Sequence, residues 1–139
     1  MYKSILLAVD GSEHSIRAAK QAGSIASGSD DAVVTIVYVA DYDNAKNEVL
    51  HSGSNVELDL QRRKKIQPVE ETLASASVRY KVEILRGTPG PAIVEYANKE
   101  GFDMLIIGSR GLNSLQEMVL GSVSHKVVKR ANCPVLIVK

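Results

Sequence analysis

Cysteine is almost absent: Cys133 stands alone in 139 residues. A lone thiol excludes an intrachain disulfide and makes a reducing cytosol the expected compartment. Long apolar runs are missing as well. Nothing approaches the roughly 20 consecutive apolar residues that span a bilayer, so no membrane partner is expected. The opening Met1-Tyr2-Lys3-Ser4-Ile5-Leu6-Leu7 meets Asp10 too soon to act as a secretory signal. Charge of one sign is also lacking. With 17 Lys and Arg against 16 Asp and Glu, the formal net charge is +1, and no overall field draws the chain to nucleic acid or lipid. His14, His51 and His125 share no metal-ligand spacing. What remains is 45% hydrophobic and 24% charged residues, the balance of a globular chain. Its length suits one domain, 1–139, with a substantial core.

Apolar runs and their punctuation predict the elements. Residues 3–9 form a continuous apolar run suited to a strand covered on both faces. Asp10-Gly11-Ser12 interrupts it, and Ser12 is a good N-cap for a helix with Ile16, Ala19, Gly23 and Ala26 along one face. Residues 33–39, β-branched and aromatic almost throughout, make the clearest strand. From Asp41 to about Asn55 the sequence is polar and without period, which predicts a mobile loop with one helical turn. A helix is expected from about Val56 to Ala76, with Ile66, Val69, Leu73 and Ala76 inward and a kink or restart at Pro68. Its run Arg62-Arg63-Lys64-Lys65 is flanked by Glu57, Asp59, Glu70 and Glu71 and reads as a solvated face, not a nucleic-acid patch.

Residues 79–85 alternate polar and apolar, as in a half-exposed strand near a sheet edge. Arg86 to Pro91 is a turn into a short helix, with Pro91 near its first position and Ile93 and Ala97 facing the sheet. Met104–Ile107 is the next strand. Ser114 and Glu117 stand at capping-box spacing for a short helical turn. The last helix starts near Ser122, read as its cap, with Val123, Val127 and Val128 apolar, and Val135–Val138 is the final strand. This strict alternation predicts a Rossmann-like α/β fold, an open parallel five-stranded sheet with helices on both faces. Taken in the order 3-2-1-4-5, the strands would reverse their direction of succession between the first and the fourth. Ligand crevices form at such reversals, beyond the carboxyl ends of the strands. Asp10 and Gly108 follow those two ends.

Between the fourth strand and the last helix runs Gly108-Ser109-Arg110-Gly111, then nine residues, then Gly121-Ser122-Val123-Ser124. Glycines let backbone N–H groups approach a ligand closely, and a helix start adds unpaired N–H groups and a positive dipole end. Strand, glycine loop and helix in that order predict a phosphate cradle for a nucleotide.

Ala8-Val9-Asp10-Gly11-Ser12, Gly87-x-Pro89, the Gly108-x2-Gly111-x9-Gly121-Ser122 loop and the closing Cys133-Pro134-Val135-Leu136-Ile137-Val138 together resemble the universal stress protein family over the whole chain. In that family the complete glycine motif marks the branch that binds ATP. The resemblance therefore implies an ATP-binding stress-response protein of the cytoplasm, with ATP, ADP or AMP as ligand and Mg2+ or Mn2+ accompanying the phosphates. By position, Asp10 would meet the ribose or a phosphate-bound metal ion. Val39 would offer backbone hydrogen bonds to adenine, with Ala8 nearby, where many relatives carry proline. Ile107 would line the nucleoside pocket. Gly108, Gly111, Gly121, Ser122, Val123 and Ser124 would wrap the phosphates, the serine hydroxyls adding donors, and Arg110 would add a contact. The resemblance also implies a homodimer through antiparallel pairing of Val135–Val138.

No nucleophile-base-orienter set and no paired carboxylates are evident in the sequence, and the loop lacks the lysine of a Walker-type phosphate loop. Binding, with at most slow ATP hydrolysis, is the expected activity. A slow ATPase on the same fold, or a dimeric scaffold without nucleotide, are the alternatives.

Overall fold

The computed structural model describes residues 2–40, 55–110 and 121–139. Strand and helix alternate along them: β1 (Ser4–Val9), α1 (Glu13–Ala26), β2 (Val33–Ala40), α2 (Asn55–Ser75), β3 (Arg79–Arg86), α3 (Pro89–Glu100), β4 (Met104–Gly108), α4 (Ser122–Arg130) and β5 (Val135–Val138). The strands form one five-stranded sheet in the order β3-β2-β1-β4-β5. Every neighbouring pair is parallel, as expected from the alternation. Residues 41–54, expected as a mobile loop, and the Ser114–Glu117 turn lie outside the described residues.

Strand side chains divide by the period of two. Ile5, Leu7, Val9, Val34, Ile36, Tyr38 and Ile106 pack with Ala18, Ala19, Ala22 and Ala26 of α1 and Ile66, Val69 and Leu73 of α2. Leu6, Ala8, Val37, Leu105 and Ile107 pack with Ile93 and Ala97 of α3 and Val127 of α4. The helices that carry the chain one way along the sheet thus share one face, and those that carry it back share the other.

Local details depart from the expected pattern for identifiable reasons. Ile16 sits at the margin of the α1 face, which centres on Ala18, Ala19, Ala22, Gly23 and Ala26 because α1 packs on both the sheet and α2. Helix α2 continues through Pro68 without restarting. Pro68 and Lys64, the residue whose carbonyl loses its donor, are both exposed, so water can satisfy that carbonyl, while Ile66, Val69 and Leu73 hold the helix down. The basic run is not wholly solvated. Arg63 and Lys64 are exposed, but Arg62 is buried and Lys65 half-buried, because both share the helix face of Ile66 and Val69. Helix α3 begins at Pro89, two residues before Pro91, which stands in the first turn, near the first position as expected.

A polar clip ties the starts of β1 and β4. The Asp103 carboxylate accepts from the N–H groups of Lys3 at 3.0 Å and Ser4 at 2.9 Å, and the Asp103 N–H donates to the Ser4 carbonyl at 2.8 Å. Hydrogen bonds to the charged form, first from Ser4 and then Lys3, hold its carboxyl below the usual carboxylate range.

Two outcomes follow for stability. Leu73→Ala removes a fully buried side chain and should cost about 2–5 kcal/mol in urea unfolding, whereas Leu60→Ala at an exposed position should stay within about 0.5 kcal/mol. Because the Asp103 pKa is depressed on folding, its stabilisation is present above the unfolded value of about 3.9 and is lost as pH falls through the folded value. Asp103→Asn should therefore lower Tm at pH 7, and the gap to the parent protein should narrow in melts taken at successively lower pH below about 4.

Candidate functional site

Strand β1 pairs with β2 on one side and β4 on the other, and the chain leaves it toward β2 through α1 but leaves β4 toward β5 through α4. Since α1 and α4 cover opposite faces, the carboxyl ends of β1 and β4 are left between two diverging helix starts. That is the geometry of a switch-point crevice.

One lip of the crevice is the turn after β1. The Asp10 N–H donates to the Ser15 hydroxyl oxygen at 2.9 Å. The Asp10 carboxylate accepts from the Ser12 N–H and from the Ser15 hydroxyl, each at 2.9 Å. Ser12 caps α1, its side chain accepting the Ser15 N–H at 3.4 Å. The tight turn needs Gly11 at φ +88°, a left-handed conformation that side chains resist. The stem of Lys65 lies over this turn, 3.2 Å from where a Gly11 Cβ would stand, and its ammonium reaches the Tyr38 hydroxyl at 3.4 Å. A cation from α2 therefore stands at the end of β2, beside the Asp10 turn.

The other lip leaves β4. Gly108 is its last residue and has no room for a side chain: a Cβ there would stand 2.6 Å from His14 Cβ. The Ser109 N–H donates to the Val138 carbonyl at 2.8 Å, and the Ser109 carbonyl accepts the Gly121 N–H at 2.8 Å. The two ends of the glycine loop are thereby brought together at the carboxyl end of β4. Gly121, and not Ser122, is the N-cap of α4, and among the described residues no side chain caps it. The first helical bond seen within the described residues runs from the His125 N–H to the Gly121 carbonyl at 2.9 Å. The N–H groups of Ser122 and Val123 precede it and have no acceptor within the helix.

The expected site residues divide accordingly. Ala8 and Ile107 are neighbours across the β1–β4 pairing and both are buried. Val39 is half-buried near the end of β2. Arg110 is half-buried just past β4, Ser122 is exposed and Val123 half-buried. Ser124 is buried, and its hydroxyl donates to the Gly108 carbonyl at 2.6 Å, so its proton is used inside the protein. Gly111 lies outside the described residues. Val128, expected on the inner face of α4, is exposed, because α4 turns Ser124 and Val127 inward.

Residues at these lips that the sequence reading did not place in the site are His14, Ser15 and Lys65. Ser15 stands three residues after a capping serine, and Lys65 one residue before Ile66 on the inner face of α2, spacings that could have marked both. The contact between His14 and Gly108 joins residues far apart in sequence and left no local signal. Burial pushes the Cys133 thiol up, which opposes thiolate chemistry there. Among the described residues, no group of three or more His, Cys, Asp or Glu side chains could hold a metal ion, and no helix is long and apolar enough to cross a membrane.

Similarity to other proteins covers the whole chain. The model of the universal stress protein family matches residues 1–139. Universal stress protein MJ0531 of Methanocaldococcus jannaschii is 34% identical over 142 residues, covering 100% of this chain and 83% of that protein. YxiE of Bacillus subtilis, also a universal stress protein, is 33% identical over 157 residues, covering 100% of both. The solved structure of MJ0577, from the same archaeon, superposes with a TM-score of 0.84 at 33% identity, over 100% of this chain and 96% of that one. A universal stress protein solved in complex with cAMP superposes with a TM-score of 0.74 at 28% identity, over 99% and 96%. Fold, crevice and whole-length similarity agree, and the chain belongs to the universal stress protein family.

Proposed function

We propose that this chain is an ATP-binding universal stress protein, a cytoplasmic stress-response regulator that holds the nucleotide's phosphates in the Gly108–Ser124 segment. The observation that carries this reading is the closure of that segment by the Ser109–Gly121 hydrogen bond, which sets the uncapped start of α4 beside the carboxyl end of β4. Backbone N–H groups and the positive end of α4 there favour an anion. The complete Gly-x2-Gly-x9-Gly-Ser motif, which the family resemblance ties to ATP, makes a triphosphate the preferred ligand. Gly108, Arg110, Gly111, Gly121, Ser122, Val123 and Ser124 surround the phosphates in this reading, with Ala8, Val39 and Ile107 on the nucleoside side. The part of Ser124 in contact with phosphate is its N–H, since its hydroxyl serves Gly108.

Asp10 is the acidic group on the opposite lip. It fits a ribose hydroxyl, or a Mg2+ or Mn2+ ion held mainly by phosphate oxygens, since such ions need only one or two protein carboxylates. The ion would neutralise phosphate charge. Hydrolysis, if any, is slow, and the bound state is read by a partner or through the dimer. A second reading, favoured by the relative solved with cAMP, is a monophosphate or cyclic ligand in the same crevice.

Titration calorimetry with ATP, AMP and cAMP separates these ligands. ATP should bind tightest, and tighter binding of cAMP would favour the second reading. Binding of none would leave a scaffold. Gly121 has φ −61° and ψ 158°, which any residue adopts, so Gly121→Val should leave the fold intact while crowding the phosphates. ATP affinity should fall about tenfold or more, the equivalent of at least one charge-assisted hydrogen bond; unchanged affinity would remove the loop from the site.

We also propose a homodimer paired antiparallel through β5, an edge strand among the described residues. Pro134 and Val138 turn their carbonyls to β4, so by the two-residue repeat Val135 and Ile137 turn their backbone groups outward. Ile137→Pro removes an outward N–H and should shift sedimentation from dimer to monomer with the circular dichroism spectrum retained; a persistent dimer would place the interface elsewhere.

A further inference from the structure

We propose that His14 is a positioning residue for the glycine loop, and that position 108 is a glycine because of His14. The inference rests on the nucleotide-binding reading only for its ligand readout. A Cβ on Gly108 would lie 2.6 Å from His14 Cβ and 3.3 Å from both the carbonyl carbon and oxygen of His14. These are atoms of or next to the helix backbone, which a rotamer change cannot move aside. The first turn of α1 cannot draw back, because the neighbouring Ser15 is bonded to the Asp10 N–H and carboxylate. The end of β4 cannot draw back either. The Gly108 carbonyl accepts the buried Ser124 hydroxyl at 2.6 Å, and the Ser109 N–H is bonded to Val138.

Asp10, Ser15, His14, Gly108 and Ser124 therefore form one continuous chain of contacts from the first lip of the crevice to the start of α4. The spacing of the lips is set at its middle link, where Gly108 packs against the Cβ and main chain of His14. Among the described residues His14 Nδ1 is buried without a hydrogen-bond partner, so no bond from that atom holds the side chain in place. The steric contact lies at the Cβ and main chain. His14 thus acts on a ligand through Gly108, by fixing where the chain leaves β4 and hence where Arg110 and Gly121 stand.

The test places Gly108→Ala in three backgrounds: the parent protein, His14→Ala, which keeps the Cβ, and His14→Gly, which removes it. ATP affinity is measured by calorimetry well below each Tm, and Tm by differential scanning calorimetry. In the parent and in His14→Ala, Gly108→Ala should weaken ATP binding about tenfold and lower Tm, the cost of overpacking without an escape route. In His14→Gly the added loss should shrink to about threefold or less, and most of the Tm change should disappear, as expected for two residues coupled by direct contact. An equal effect in all three backgrounds, in affinity or in Tm, overturns the inference. If the parent protein binds no adenine nucleotide, the proposed function fails on that ground alone. The Tm comparison across backgrounds still decides whether His14 sets the position of residue 108.

Discussion

The pairing of β1 with β4, which sets Ala8 opposite Ile107, is the constraint on which the rest of this molecule depends. It joins two strands whose helices leave over opposite faces, which opens a crevice beyond the carboxyl end of the seam between them. Both apolar layers are built outward from it, with Leu7 and Ile106 on one face and Leu6 and Leu105 on the other. The seam is anchored at its lower end by Asp103, whose carboxylate takes the first N–H groups of β1. At its upper end Asp10 and Gly108 emerge side by side, so the polar groups of the crevice inherit their spacing from the hydrophobic register beneath them.

The glycines of the loop divide into different physical roles. Gly108 gives room to the helix backbone at His14, Gly121 takes an ordinary extended conformation and accepts the task of N-cap, and Gly11 across the crevice supplies a left-handed turn. A glycine-rich motif therefore encodes packing as well as access for a ligand. The Ser124 hydroxyl belongs to the same framework, closing α4 onto the last carbonyl of β4 and leaving the backbone N–H groups and the exposed Ser122 as donors at the helix start.

Much of this was legible from periodicity. Runs such as Val33–Val39 declare themselves as strands, and their alternation with helical segments calls for a parallel sheet covered on both faces, because crossover handedness and short connections leave few topologies. Alternation alone does not choose among those few; in the observed order Asp10 and Gly108 stand at the switch point. What escaped was set by contacts distant in sequence. Arg62 looked solvated within a basic run, yet the face it shares with Ile66 turns it inward. Val128 looked apolar and inner, yet the bond from Ser124 to Gly108 fixes the rotation of α4 and leaves Val128 outside. Pro68 looked like a break, yet its lost hydrogen bond falls on the wet side of α2, where it costs little. His14 against Gly108 is invisible until two elements ninety-four residues apart are packed together.

The account stands on an adenine nucleotide occupying the crevice between β1 and β4. Backbone amide shifts followed during titration with ATP test this directly. The largest changes are expected at Ser122, Val123, Ser124 and Arg110 on one lip, at Asp10 and Gly11 on the other, and at Val39 at the end of β2. Shifts confined to β3 or to the outer face of α2, or no shifts at millimolar ATP, would contradict it.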